Sequence, residues 1–107
     1  MSDQSKHDVF QVISDPTRRT LLKLLADKEL SIAEITKYFP LSRTAVNKHL
    51  HILSDAGVVR SRKAGRETRY ILQPEPLVEI RNWLMFFDRY WDDRLSVLKK
   101  YVEEDGD

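Results

Sequence analysis

Arg43, Thr44, Asn47, Lys48 and His51 lie close together in the chain. They supply fixed cations that pair with phosphates, and amide, hydroxyl and imidazole groups that donate to or accept from base edges. At about 100° per residue on a helix they share one arc with Ser54 and Asp55. Ala45, Val46, Leu50, Ile52, Leu53 and Ala56 fill the other arc, so one face packs and the other is polar. A merely solvated face would alternate Glu with Lys, whereas this arc has a single acid, Asp55, at its far end. Ser42 is placed to cap the helix start, which aims the positive helix end at the same anion as Arg43 and Thr44. His49 falls inside the apolar arc and is read as a packing residue, while His51 belongs to the polar arc. His7 stands alone near the start of the chain and receives no role.

The elements that must position this arc are legible on both sides of it. Before it, Ser31 caps a helix carrying Ile32, Ile35 and Tyr38/Phe39, which Pro40 stops. Only Pro40-Leu41 separates the two helices, the spacing of a helix-turn-helix once fraying is allowed. Gly57 terminates the second helix, so the reading head spans residues 31–57. After it, two β-prone runs flank Ala64-Gly65-Arg66-Glu67 and predict a hairpin wing over residues 58–72. Arg60, Arg62, Lys63, Arg66 and Arg69 crowd this hairpin. With Lys63 and Arg66 either side of Gly65, the tip suits a phosphate backbone or a narrow minor groove. Basic residues on a two-stranded edge also deter aggregation.

Charge is distributed accordingly. The formal net charge is only +1, but residues 42–70 hold seven Lys/Arg against two acids. Residues 71–107 hold five basic residues against nine acidic ones. A basic block inside a near-neutral chain is the footprint of a phosphate-binding face.

Upstream, Val9, Phe10 and Ile13 form a short apolar stripe. Asp15-Pro16 then opens a helix with Leu21, Leu22, Leu24 and Leu25 inward. Downstream of Pro74 and Pro76, residues 77–104 contain no glycine or proline and predict one long helix. Its stripe comprises Ile80, Trp83, Leu84, Phe87, Tyr90, Trp91, Leu95, Leu98 and Val102, widened by Met85, Phe86, Val97 and Tyr101. A protomer of 107 residues has too little surface of its own to cover such a helix. Pairing with a second copy, together with Val9, Phe10 and Ile13, is the expected solution; lining a ligand pocket is the other use of such a cluster.

The fold class expected is mainly α with a small β-hairpin wing (α+β). It is a winged helix-turn-helix in a single domain, 1–107, dimerising through its N- and C-terminal helices. Cysteine is absent, which excludes disulfides, thiolate metal sites and a cysteine nucleophile. No apolar run approaches a membrane span, and the start lacks a signal-peptide pattern, so no membrane insertion and a cytoplasmic location are expected.

These residues resemble the ArsR-type winged-helix repressors. The matching stretches are Ser14-Asp15-Pro16-Thr17-Arg18-Arg19, Ser31-Ile32-Ala33-Glu34-Ile35, Leu41 to Leu50, and Leu53-Ser54-Asp55-Ala56-Gly57-Val58-Val59, with Gly65-Arg66 and Tyr70 in the wing. The ending Trp83-Leu84 and Tyr90-Trp91-Asp92-Asp93-Arg94-Leu95 is similar to the subgroup typified by the sporulation-delay repressor. The resemblance implies a homodimer that represses by occupying a near-palindromic operator on double-stranded DNA, its N- and C-terminal helices forming the interface. Arg43-Thr44 replaces the family's frequent Gln-Pro. Metal-sensing members carry cysteines where this chain has Ser31-Ile32-Ala33-Glu34, or histidines on the last helix, where it has Asp88, Asp92, Asp93 and Glu103 but no histidine. Carboxylates alone suit zinc-like ions poorly, so no metal and no cofactor are expected. Release from DNA would fall to an unidentified inducer or a sequestering protein, for which no motif stands in the chain. The alternatives are a winged helix acting through protein or RNA partners, and a metal-responsive repressor with a non-cysteine site. No nucleophile–base pair, phosphate-cradling loop or metal cluster suggests an enzyme.

Overall fold

The computed structural model describes residues 8–105, so His7 and both ends of the 1–107 unit lie outside the described residues. Helix α1 (Val9–Val12) is capped by Asp8, whose carboxylate accepts from the Gln11 N–H at 2.8 Å. Helix α2 (Pro16–Asp27) opens on Asp15 and Pro16 as its sequence dictates. Arg18 and Arg19 reach back from α2. The Arg18 Nε donates to the Val12 carbonyl at 2.9 Å and the Arg19 Nη1 to the Ile13 carbonyl at 2.7 Å. They thereby satisfy the acceptors left open at the end of α1 and fix the corner between the helices.

Strand β1 (Leu30–Ser31) leads directly into α3 (Ile32–Thr36), and α4 (Arg43–Asp55) follows after a turn. Strands β2 (Val59–Ala64) and β3 (Glu67–Leu72) form the hairpin. The sheet is antiparallel in the order β1-β3-β2, with Leu30 opposite Tyr70 and Ser31 opposite Arg69. The hairpin expected from the sequence is therefore the larger part of a three-stranded sheet, because the two residues before α3 add a short strand to β3. The loop is the two-residue Gly65-Arg66, flanked by the register pair Ala64 and Glu67. Gly65 has φ +66° and no described non-glycine residue has positive φ. That is the pattern of a turn with glycine at its first central position.

One core joins these elements: Val9, Val12, Leu21, Leu22, Leu25, Leu30, Ile35, Val46, Leu50, Leu53, Val58 and Val59 are buried. Helix α4 ends in a complete Schellman motif. The Val58 N–H donates to the Leu53 carbonyl at 3.2 Å and the Gly57 N–H to the Ser54 carbonyl at 3.0 Å. Gly57 has φ +81°, and a Cβ there would meet Pro76 Cγ at an ordinary 3.7 Å. Gly57→Ala is thus penalised by backbone conformation and not by space, at about 1–2 kcal/mol. The melting temperature should fall by several degrees while the circular dichroism of the native state is unchanged; an unshifted midpoint would contradict the left-handed cap.

Two helices depart from expectation. Helix α3 stops at Thr36, and the chain tightens into i→i−3 bonds, with the Lys37 N–H on Glu34 and the Tyr38 N–H on Ile35. Phe39 still packs on the core but Tyr38 is exposed. The long C-terminal helix is not continuous: it is a 3-10 turn (Glu75–Leu77), α5 (Val78–Met85) and α6 (Asp88–Asp105). The break falls at Phe86-Phe87, where the Phe87 N–H turns to the Leu84 carbonyl at 3.0 Å. The Phe87 carbonyl then starts the next ladder, accepting from Tyr90 and Trp91. Phe87 packs edge-on against Trp83 at 5.2 Å and Phe86 at 5.0 Å, and Trp83 in turn meets Phe10 of α1 at 5.7 Å. Packing of aromatic rings against α1, with no glycine or proline, therefore marks the corner.

Beyond the corner, every residue of α6 whose burial is described is exposed. The Cα radius of gyration is 18.3 Å, against about 13 Å for a compact chain of this length. Helix α6 thus projects as an arm. Val9 does not belong to that surface. It is only 4% exposed within the protomer's own core, so the expectation that it joins a dimer interface is corrected.

Candidate nucleic-acid interface

Helix α4 is held by burial of Val46, Leu50 and Leu53, and its N-terminus is capped by Ser42 Oγ, which accepts from the Ala45 N–H at 3.1 Å. This leaves Arg43, Thr44, Asn47, Lys48 and His51 exposed. His49 sits half-buried, and its Nδ1 is buried without a hydrogen-bond partner among the described residues.

Thr44, Asn47, Lys48 and His51 line one open groove of about 690 Å³, completed by Leu50, Ser54, Ser61 and Tyr70. Its far wall is the wing, since Ser61 and Tyr70 are a register pair across β2 and β3. Ser61 was not singled out from the sequence, and Tyr70 only as part of the family resemblance in the wing; their shared face follows only once the strand register is known. Arg43 lies in a neighbouring cleft of about 280 Å³ with Ser31, Ile32, Ala33, Arg66, Glu67 and Thr68. The start of α4 and the tip of the wing therefore open onto the same cleft, each with an arginine.

Strand alternation divides the remaining basic residues. Lys63 shares the groove-side face with Ser61, whereas Arg60 and Arg62 lie on the opposite face with their partners Ile71 and Arg69. Arg60 and Lys63 are exposed. Arg62 is ion-paired with Glu29, its Nη2 lying 2.7 Å from Oε1. Arg69, grouped by sequence with the DNA-contacting residues, is committed to protein acceptors. Its Nε meets Glu29 Oε1 at 3.1 Å, Nη1 meets Glu67 Oε1 at 2.8 Å, and Nη2 meets both the Glu29 carbonyl and Glu34 Oε1 at 3.2 Å. Glu34 also forms a capping box with Ser31 at the start of α3. The hydrogen bond from the Ser31 N–H outweighs partial desolvation and, with the Arg69 charge, holds the Glu34 carboxyl below its usual range. For Arg69, desolvation pulls the pKa down. The hydrogen bond to Glu67 and the charges of Glu34, Glu67 and Glu29 outweigh it and raise the net value.

The second surface is apolar. Among the described residues, every exposed large hydrophobic side chain except Tyr38 lies between Val78 and Val102. Trp83, Tyr90, Trp91, Leu95 and Leu98 are exposed, while Phe10, Ile13, Ile80, Leu84 and Phe87 are partly buried. Among the described residues, no helix is long and apolar enough to cross a membrane.

A capped helix-turn-helix followed by a hairpin that walls the reading groove defines a winged helix-turn-helix protein. Residues 15–61 match the model of the arsR family of bacterial regulatory proteins. The chain is 34% identical over 104 residues to the HTH-type transcriptional regulator Rv2034 of Mycobacterium tuberculosis, covering 97% of this chain and 94% of that protein. It is also 34% identical to the transcriptional repressor SdpR of Bacillus subtilis, covering 83% of this chain and 99% of SdpR. An ArsR-like transcriptional regulator from Rhodococcus sp. RHA1 superposes with a TM-score of 0.70 at 35% identity, covering 90% of this chain and 88% of that one. The chain belongs to the arsR family and is a transcriptional regulator, a class that is not enzymatic.

Proposed function

We propose that the protein is a homodimeric repressor that occupies a near-palindromic operator on double-stranded DNA in the cytoplasm. The observation that carries this reading is the groove in which Thr44, Asn47, Lys48 and His51 stand exposed against the wing. Its width is bounded by packed elements, and its lining offers the donors, acceptors and cations that base edges and phosphates require. Ser42 and Arg43 meet the backbone at the helix start, and Arg66 and Lys63 meet it at the wing tip; Arg60 lies farther from the groove, on the outer face. Repression is the role carried in the name of SdpR, and it transfers here through similarity along most of the chain.

Dimerisation is supported by the exposed aromatic and aliphatic surface of α5 and α6, which finds no cover in the protomer. Phe10, Ile13, Ile80, Trp83, Leu84, Phe87, Tyr90, Trp91, Leu95 and Leu98 would form the seam. Control by a metal is disfavoured because the chain has no cysteine and no histidine beyond His51. An inducer or a sequestering protein would act in its place.

Selection of bound duplexes from a random DNA pool, followed by sequencing, tests the reading. It should return an inverted repeat with half-sites about one helical turn, ~34 Å, apart, bound less tightly as salt rises. No enrichment, or a preference for RNA over the duplex, would overturn it.

A further inference from the structure

We infer that Arg69 is a positioning residue that clamps the wing to the reading head, and that its effect on DNA binding passes through the wing tip. This inference rests on the proposed role of Lys63 and Arg66 as backbone contacts. A guanidinium has five N–H groups. Four hydrogen bonds to Glu29, Glu34 and Glu67 engage all three Arg69 nitrogens, which leaves at most one N–H, on Nη1, for any other acceptor. The side chain is only 23% exposed.

The acceptors lie at mechanically telling places. Glu29 immediately precedes β1, Glu34 closes the capping box of α3, and Glu67 is the first residue after the wing turn. One side chain on β3 therefore ties the root of the helix-turn-helix to the hairpin. Register makes the carboxylates necessary. Arg62 and Arg69 stand directly opposite each other across β2 and β3, an arrangement that repels unless a carboxylate intervenes. Glu29 Oε1 receives both, Arg62 at 2.7 Å and Arg69 at 3.1 Å. The same clamp fixes the cleft shared by Arg43 and Arg66, because Ser31 and Glu67 line it.

Arg69→Lys keeps the charge but cannot reproduce a planar fork on three carboxylates. Glu29→Gln with Glu34→Gln removes two acids while glutamine keeps the capping box. Binding to a mixed-sequence duplex of about 30 base pairs, long enough for two half-sites one turn apart, can be followed by fluorescence anisotropy at fixed salt. The clamp requires Arg69→Lys to weaken binding about tenfold, the scale of one charge-assisted contact. The double glutamine variant must also weaken it, although loss of negative charge would by itself strengthen attraction to DNA. Arg69→Lys must add no further loss in a Lys63→Ala plus Arg66→Ala background, whereas general damage to the fold would still lower affinity there. Near-native binding by Arg69→Lys, or tighter binding by the glutamine variant, would overturn the clamp. A tip variant that binds like the native protein would instead remove the wing reading and the clamp with it.

Discussion

Replacing Asn47 and Lys48 together with alanine should lower operator affinity by at least about 100-fold while leaving the fold intact. One bidentate amide–base pair is worth about 1–3 kcal/mol of discrimination, and a phosphate or guanine contact from lysine adds to it. In a dimer each loss occurs twice, so the low end of the range gives about 30-fold from the amide pair alone, and the two lysine contacts carry it to about two orders of magnitude. The side chains are exposed and leave Val46, Leu50 and Leu53 untouched in the core. The unfolding free energy should therefore change by no more than about 0.5 kcal/mol. Titration of the selected operator, with a urea melt of the same variant, separates the two quantities. Undiminished affinity would show that α4 is not the reading helix.

The second large effect concerns the arm. Leu95→Glu combined with Leu98→Glu should convert the protein to a monomer at micromolar concentration. It should also weaken operator binding by about two orders of magnitude, because avidity between linked sites is lost. The two leucines are 57% and 58% exposed in the protomer, so they contribute little to its core. Charges placed there would be buried unpaired in a helical seam, which is strongly unfavourable. Sedimentation velocity reads the mass directly. A dimer that persists in this variant would move the interface elsewhere, and a native protein that sediments as a monomer would remove it altogether.

Much of the reading head was legible because its signals are local. Ser42 and Gly57 bracket α4, and the apolar spacing from Val46 to Leu53 orients it, so neither depends on distant parts of the chain. Arg43, Thr44, Asn47, Lys48, His51 and Ser54 are exposed on α4 as the helical wheel expects, whereas Asp55 at its end is half-buried. Non-local features were hidden. β1 exists only because β3 offers it an edge, and two residues carry no periodicity of their own. Arg69 looks like any other wing cation until register sets it opposite Ser31 and beside Glu29. The break at Phe86-Phe87 has no breaker residue; it is drawn by the contact between Phe10 and Trp83, which are far apart in sequence. Val9 sits in an apolar stripe either way, and only the packed structure assigns it to the core.

That break gives the molecule a lever. Helix α6 has 18 residues, about 27 Å at 1.5 Å per residue. It leaves the body of the protomer at a corner where Trp83, Phe86 and Phe87 pack edge-on. A swing of ten degrees there carries the free end through about 5 Å, more than the 3.4 Å step between base pairs. In the proposed dimer, the spacing between the two reading heads would therefore follow the angle held by these three edge-on rings.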